Sequence, residues 1–579
     1  MGLATRVEKL LPDIVAVLTR FPISAAISIL LCAYLNIMGA SSSFDGDGSV
    51  AAGAAAAFIA SGAAHLYAET HGFSRVSNIL LSFAVAVLAA ALGYFTKIFE
   101  TSYIFLFFGL IPVLMIAPYL RGGARQGALW LFNLRFGLTT LLALIVAILF
   151  GLGLSTIVAA LNFLFNAGLN DNLYEHIWST AAALVGPVYG LSLMPRDLDE
   201  EVDIASQKDT LLARGVSVLV NYVLVPIIFI YAVILHAYAI KIIAEQNLPK
   251  GQIATIVTIY ALGGTGAWLI AWPWRETGTR LLRWFIRGWF WLTIVPAVLL
   301  AIAIWRRVTD YGVTPDRYGI LLVAIWIACL TAYLAFRRNK ADMRAILGGI
   351  AVLFLVGSVG PFGANGLTIS SQLTRFAHYL EAHGMLKDGK AQPPATKLPS
   401  EDISQGYSFL GALQDVGALD RLAPWFDGVA KTPFKADISR WQLNSNIAEY
   451  LGFQAPQVTE DYVNFTSNVA RSLNVVAGQR VVGPLQAMQN YAPAVAQLPM
   501  TALFDATTLT VKLETATYTM PLKDFLDKTK ALLSVDANKQ GPVSFEIAPG
   551  VTVVIDAIYG NLNNSPPLGS ARFWLILPQ

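Results

Sequence analysis

Apolar residues in the first two thirds of the chain do not alternate with polar ones; they run on. Eleven mainly apolar stretches lie near 21–40, 50–68, 77–97, 102–120, 136–162, 175–194, 215–240, 252–272, 289–305, 318–336 and 344–362. About twenty such residues carry a helix across a bilayer with every backbone N–H and C=O satisfied inside it. The pattern predicts an α-helical polytopic membrane bundle of about 11 transmembrane helices over 21–362. Ahead of it, Leu3, Val7, Leu10, Leu11, Ile14 and Leu18 recur at helical spacing opposite Arg6, Lys9 and Asp13. That predicts an amphipathic helix on the membrane face over 1–20, with Pro12 as a break point. Arg6, Lys9 and Arg20 before an apolar run that ends in Gly39, Ala40 and Ser41 share the layout of a signal peptide. The run is long for one and ten further spans follow, so it reads as a span.

After residue 363 the apolar runs break up, predicting a C-terminal soluble α+β domain over 363–579. Within 363–455, "TIS" at 368 and "DIS" at 402 and 437 recur, each followed by a glycine, Gly384, Gly417 and Gly452. Thr368, Asp402 and Asp437 are expected as helix caps and the glycines as helix ends, giving three helix-loop repeats. Over 456–579, "TALFDATTLTVKLETATYTM", "GPVSFEIAPGVTVVIDAIYG" and "ARFWLIL" alternate or cluster β-branched and aromatic residues between turn residues, predicting an antiparallel sheet. "PLKDFLDKTKALL" between them reads as a helix.

Composition agrees: 55% hydrophobic residues, 13% charged and a mean hydropathy of +0.57 exclude an ordinary soluble protein. A net charge of +3 with no long basic run argues against nucleic acid. Cys32 and Cys329 both fall in apolar stretches, so neither a disulfide framework nor a thiolate metal site is predicted. His176, His236, Asp171 and Glu175 gather near one interface but carry no metal-binding spacing. Asp45, Asp47 and Ser49 begin like a calcium loop, yet Ala56 stands where the closing glutamate belongs. "GLGLST" from Gly151 lies inside a span, where a glycine-rich nucleotide turn has no place. His378, Glu381 and His383 share one helix and read as solvent-exposed. No metal site, cofactor or catalytic residue is predicted.

Charge placement orients the bundle, because Lys and Arg concentrate in cytoplasmic loops. Alternate connections carry eighteen Lys and Arg against six, the richer set including the N-terminus, Arg121, Arg125, Arg135 and Arg275–Arg287. The N-terminus is therefore expected in the cytoplasm and the C-terminal domain outside it. The stretch "WPWRETGTRLLRWFIRGWFW" at 272–291 sets arginines among tryptophans. A helix over 276–287 would lie flat in the interface, with Arg275, Arg280, Arg283 and Arg287 toward lipid phosphates; membrane lipids are thus expected partners.

Polar groups inside spans usually face a bundle interior or a water cavity. Gly53, Ala57 and Ser61 form a small-residue stripe that continues to His65 and Glu69, which read as an interfacial pair near the cytoplasmic end or as a candidate proton or substrate pathway. Gly263, Gly264 and Gly266 read as a surface for tight helix packing, or as an interrupted helix that would join that pathway. Pro226 and Pro296 are expected to kink their helices. Between the ninth and tenth spans, "WRRVTDYGVTPDRYG" gathers Arg306, Arg307, Asp310, Tyr311, Asp316 and Arg317 in an outer loop.

The pattern Tyr311-Gly312-Val313-Thr314 followed by Arg317-Tyr318, within a many-span bundle with a hydrophilic C-terminal part, resembles a bacterial membrane family catalogued as a domain of unknown function (number 4153). The resemblance implies a bacterial cytoplasmic (inner) membrane, which makes the outer side periplasmic, and transfers no catalytic residue. Three functions fit: translocation of an amphipathic envelope precursor; a non-enzymatic envelope scaffold whose periplasmic domain binds a protein partner; or an enzyme on a lipid-linked substrate, using Asp310 or Asp316.

Overall fold

The computed structural model describes residues 15–39, 48–97, 100–121, 123, 125–170, 172–200, 211–245, 253–337, 341–396, 398–429, 432–434, 438, 440–453, 458–459, 462–466, 478–489, 501–505, 507–513, 516–535, 543–561 and 568–578. Asp45, Asp47, Asp171, Asp437 and all but the last turns of the expected N-terminal helix lie outside them. The chain forms two compact units. One comprises Met1–Lys390, Phe409–Thr432 and Asp437–Arg440, the other Ala391–Ser408, Pro433–Ala436 and Trp441–Gln579.

The first unit is helical: α1 (Pro22–Gly39), α2 (Ser49–Thr70), α3 (Arg75–Lys97), α4 (Glu100–Ile116), α5 (Gln126–Phe165), α6 (Asn172–Thr180), α7 (Gly186–Ser192), α8 (Leu211–Val218), α9 (Val225–Glu245), α10 (Ile253–Ala271), α11 (Arg280–Tyr311), α12 (Pro315–Arg337), α13 (Met343–Ser358) and α14 (Ala364–Ala382). Among the described residues, eight helical stretches are long and apolar enough to cross a membrane. They are Ser49–Thr70, Arg75–Thr96, Ser102–Tyr119, Gln126–Phe165, Arg214–Glu245, Ala254–Trp274, Arg280–Tyr311 and Pro315–Arg337.

Eleven runs were expected, and three fall short of that length. Pro22–Met38 and Met343–Ser358 are apolar but shorter. The run at 175–194 is divided into α6, a π-helical turn over Ala181–Val185, and α7. A second π turn, Leu219–Leu224, joins α8 to α9. Pro187 and Pro226 each follow such a turn within two residues. A proline removes one N–H and crowds the carbonyl a turn upstream, and widening the helix there relieves both.

Small residues set the closest helix contact. A Cβ on Gly53 would lie 2.7 Å from the Ala90 carbonyl oxygen, and one on Gly93 would lie 2.8 Å from that of Ala52, so α2 and α3 touch backbone to backbone. Gly151 serves differently: its missing side chain makes room for the Trp178 ring, 2.8 Å from where a Cβ would stand.

Helix ends follow local chemistry. Gly384, Gly417 and Gly452 all have left-handed φ, 67°, 62° and 70°. Each is followed by an amide that reaches five residues back, Met385 to Leu380, Ala418 to Leu413 and Phe453 to Ala448. The expected caps at the other ends are displaced. Thr368 lies inside α14, which begins at Ala364, and Asp402 is the third residue of α15 (Ser400–Asp415).

In the second unit, α16 (Arg440–Tyr450) precedes a sheet. Beyond the two-residue strands β1 (Leu386–Lys387) and β2 (Lys390–Ala391), its strands are β3 (Val458–Thr459), β4 (Tyr462–Thr466), β5 (Gln479–Gln489), β6 (Thr501–Phe504), β7 (Thr508–Lys512), β8 (Thr517–Pro521), β9 (Val543–Ala548), β10 (Val551–Asn561) and β11 (Leu568–Pro578). The order is β3-β4-β10-β11-β5-β6-β7-β8, with β9 also paired to β10. All pairings are antiparallel except β5 with β6. The expected helix is α17 (Leu522–Val535), whose Leu522, Phe525 and Leu526 are fully buried against the sheet core of Val553, Ile555 and Phe573. At a bulge in β10, buried Asp556 accepts a hydrogen bond from Arg572 Nε at 3.1 Å.

Candidate functional site

Charge inside the helical unit concentrates where α2 meets the helical residues 15–20. Arg20 Nη2 lies 3.1 Å from Glu69 Oε2, and the same guanidinium donates to the carbonyls of Met194 and Pro195. Its Nε is buried with no hydrogen-bond partner. His65 Nε2 stands 4.0 Å from the Glu69 carboxylate, and its ring meets Phe21 at 4.7 Å. Asn78 of α3 donates to the His65 carbonyl, and Ser82 donates to Asn78. The i, i+4 spacing of His65 and Glu69 was legible as a pair. Arg20, the third member, comes from a segment read as interfacial and joins only through the fold.

Beside this cluster lies an apolar chamber of about 520 Å³, walled by α2, α4, α5, α6, the π turn and α7. Phe21, Leu66 and Met194 line it while their sequence neighbours or backbone carry the polar cluster. Phe136, Ala143, Trp178 and Gly190 form other parts of its wall. The volume lies within the range of small-molecule sites, and its lining is almost wholly apolar.

The glycines of α10 do not interrupt it. The helix runs unbroken from Ile253 to Ala271. Gly264 is the slot for Trp289 of α11: a Cβ there would stand 1.8 Å from the indole, which is wholly buried. Gly263 and Gly266 have open space around them. α2 packs on α1, α3 and α4, whereas α10 packs on α9, α11 and α12, so the fold does not gather these glycines with His65 and Glu69 into one pathway.

The flat helix expected over 276–287 is also corrected. Residues 275–278 are a turn, Thr279 caps Leu282 through its hydroxyl, and α11 then runs without a break to Tyr311. Arg280, Arg283 and Arg287 are thus the first turns of a long helix whose Leu282, Phe285 and Trp289 are fully buried. Arg275 stacks on Trp272, 3.9 Å from its ring centre, and lies 3.7 Å from Glu276.

The outer loop shrinks to Gly312–Thr314, because Arg306, Arg307, Asp310 and Tyr311 belong to α11 and Asp316 and Arg317 to α12. Its residues form a clasp. Gln372 of α14 donates to the Val313 and Tyr311 carbonyls, Ser371 accepts from Val313 N–H, and Arg375 donates to the carbonyls of Thr309 and Asp310. Gly312 has φ 74°, and a Cβ there would meet Arg375 at 2.7 Å. Arg317 donates to the Tyr311 and Gly312 carbonyls and Tyr318 to that of Phe362. Asp310 stands 3.9 Å from Arg306, and Asp316 occupies the first turn of α12, where a helix favours negative charge.

Several arginines at or near helix ends are held by carboxylates that the sequence reading did not single out. Arg135 grips Glu200 through two hydrogen bonds, 2.6 and 2.7 Å, and these hold the Glu200 carboxyl below its usual range. Arg121 pairs with Asp199. Burial pushes the Asp342 carboxyl up, but hydrogen bonds from Arg344 and Gln126 outweigh it and leave the group lowered. No group of three or more metal-ligating side chains occurs among the described residues. His176 instead meets Asn36 at 3.0 Å, and His236 meets the Ala232 carbonyl.

A bundle of long apolar helices with a separate sheet-bearing unit defines a polytopic membrane protein. The chain belongs to the family described as Domain of unknown function (DUF4153), whose model matches residues 25–383. It is 26% identical over 337 residues to "Uncharacterized protein PM1469" of Pasteurella multocida (strain Pm70), covering 56% of this chain and 54% of that protein. The chain therefore spans about half the length of that curated relative. No solved structure matches.

Proposed function

We propose that the protein is a bacterial inner-membrane translocator for an amphipathic, envelope-related substrate, with its N-terminus in the cytoplasm and its C-terminal unit in the periplasm. The observation that carries this reading is the 520 Å³ apolar chamber lined by Phe21, Leu66 and Met194, whose chain neighbours Arg20 and His65 stand 3.1 and 4.0 Å from the Glu69 carboxylate. A hydrocarbon chain matches the chamber lining, and an anionic headgroup matches the charge of the nearby Arg20 guanidinium. The two π turns and their prolines supply helices that pack less regularly, one of them in the chamber wall.

The test uses the full chain in liposomes carrying a fluorescent phospholipid, with transbilayer movement read by an impermeant quencher. Translocation predicts movement well above empty vesicles and its loss when Ala143→Trp fills the chamber. Equal rates in all three preparations sink the proposal. The orientation is checked separately: a periplasm-dependent phosphatase should be active after Gln579 and inactive after Arg275.

A scaffold reading is favoured by Trp441 of the second unit, which is 76% exposed, an unusual position for tryptophan on a surface without a partner. It predicts that Ala143→Trp is silent in cells while removal of the C-terminal unit abolishes function.

A further inference from the structure

The span of α11 between its charges fixes where its ends sit. From Arg287 to Arg306 the helix carries no charged residue. Nineteen residue steps at 1.5 Å are about 28 Å, close to the roughly 30 Å hydrocarbon thickness of a bilayer. Arg287 and Arg306 therefore mark opposite headgroup levels.

At the Arg287 level the fold forms a partly open cavity of about 180 Å³ with Trp268, Trp272, Arg275, Glu276 and Phe290. All of these but Trp268 fall in the stretch 272–291; Trp268 comes from the last turn of α10 and fixes its ring by donating to the Ile286 carbonyl of α11. Arg275 is held on the Trp272 face beside Glu276, so its charge is half answered. Arg287 has no hydrogen bond or ion pair among the described residues. Among the described residues the lining carries two guanidinia against one carboxylate. The cavity is smaller than the roughly 300 Å³ at which sites for whole drug-sized molecules begin. It suits a headgroup whose chains stay outside.

We propose that this cavity binds the phosphate of an anionic phospholipid, with Arg287 as the principal cation, Arg275 as the second, and the rings of Trp268, Trp272 and Phe290 as walls at the glycerol level. Guanidinium forks match phosphate oxygens two at a time, and tryptophan is favoured at headgroup depth. The site is separate from the chamber beside Arg20 and does not depend on what that chamber does.

The experiment titrates the full chain in detergent with dihexanoyl phosphatidylglycerol, with dihexanoyl phosphatidylcholine, and with inorganic phosphate, following tryptophan fluorescence. The expected result is tighter binding of phosphatidylglycerol than of phosphatidylcholine, with Arg287→Gln weakening it about tenfold, the loss of one charge-assisted contact. Arg287→Lys should recover part of that loss. Arg280→Gln removes the same charge from the same helix outside the cavity and should change affinity less than about twofold. Gel filtration of each variant confirms that it is folded. Equal binding of both lipids overturns the proposal, as does an Arg287→Gln effect no larger than that of Arg280→Gln. Inorganic phosphate binding as tightly as phosphatidylglycerol also overturns it, since the site would then take a free ion.

Discussion

Gly264 of α10 and Trp289 of α11 occupy one space: the indole fills the volume a side chain on the glycine would need, 1.8 Å from the Cβ position. The relationship turns an apparent weak point in a helix into its tightest contact. Gly264→Ala should cost about 1–3 kcal/mol, because the buried ring has nowhere to move. Gly263→Ala and Gly266→Ala, with open space, should be neutral or slightly stabilising, since alanine favours helix. Thermal unfolding of the three variants in one detergent checks the contrast.

Arg20 is 18% exposed and ties Glu69 to the carbonyls of Met194 and Pro195. Removing one partner strands the other in a poorly solvated place. Arg20→Met is expected to destabilise by about 2–4 kcal/mol, and Glu69→Gln by less, because the amide still accepts a hydrogen bond. In a double-mutant cycle the two effects should not add, and additive losses would show that the pair is not coupled.

Gly312 allows the chain to turn between α11 and α12 at φ 74° while Arg375 passes 2.7 Å from its absent Cβ. Gly312→Ala should lower stability by about 1–3 kcal/mol through strain and crowding together. Gln372→Ala leaves the turn but unties it from α14, so it should raise proteolytic cutting near residue 312 with a smaller fall in melting temperature.

Two carboxyls outside the spans, Glu200 and Asp342, are lowered in the folded protein. Their unfolded values lie near 4. Their contribution is complete above that value and is lost as pH falls through the lowered folded values. Melting temperature should therefore drop on acidification below about pH 4, and the drop should be smaller in Asp342→Asn, which has already lost its share at neutral pH.

In the sheet-bearing unit, Arg572 answers a buried Asp556. Arg572→Met should cost about 2–4 kcal/mol, the penalty of a carboxylate left with fewer partners, and Asp556→Asn with Arg572→Met should recover part of it. Chemical unfolding of the full chain, followed through the sheet signal, reads both.

Hydrophobic runs, charge asymmetry and turn residues act over short distances, so the helical class, the strands after residue 500, α17 and the three glycine-ended helices were legible in the sequence, whereas β5 was not. A backbone in hydrocarbon must close its hydrogen bonds within a helix or a closed barrel, and runs of some twenty apolar residues fit only the helix. Left-handed helix ends have little alternative to glycine. Membership of the family was legible in the same way, from Tyr311-Gly312-Val313-Thr314 and the layout around it. The partners of those residues were decided by the tertiary structure. Arg20 reaches Glu69 across 49 positions and Arg344 reaches the Tyr119 carbonyl across 225. Gly264 read as a packing surface or a break, and spacing does not reveal that Trp289 is the residue that fills it. Arg280 to Arg287 looked like a separate helix because only the Thr279 cap shows where α11 begins. Local sequence sets what a segment can be; which distant side chain satisfies its charge or occupies its gap depends on how the helices pack, and short-range pattern does not encode that.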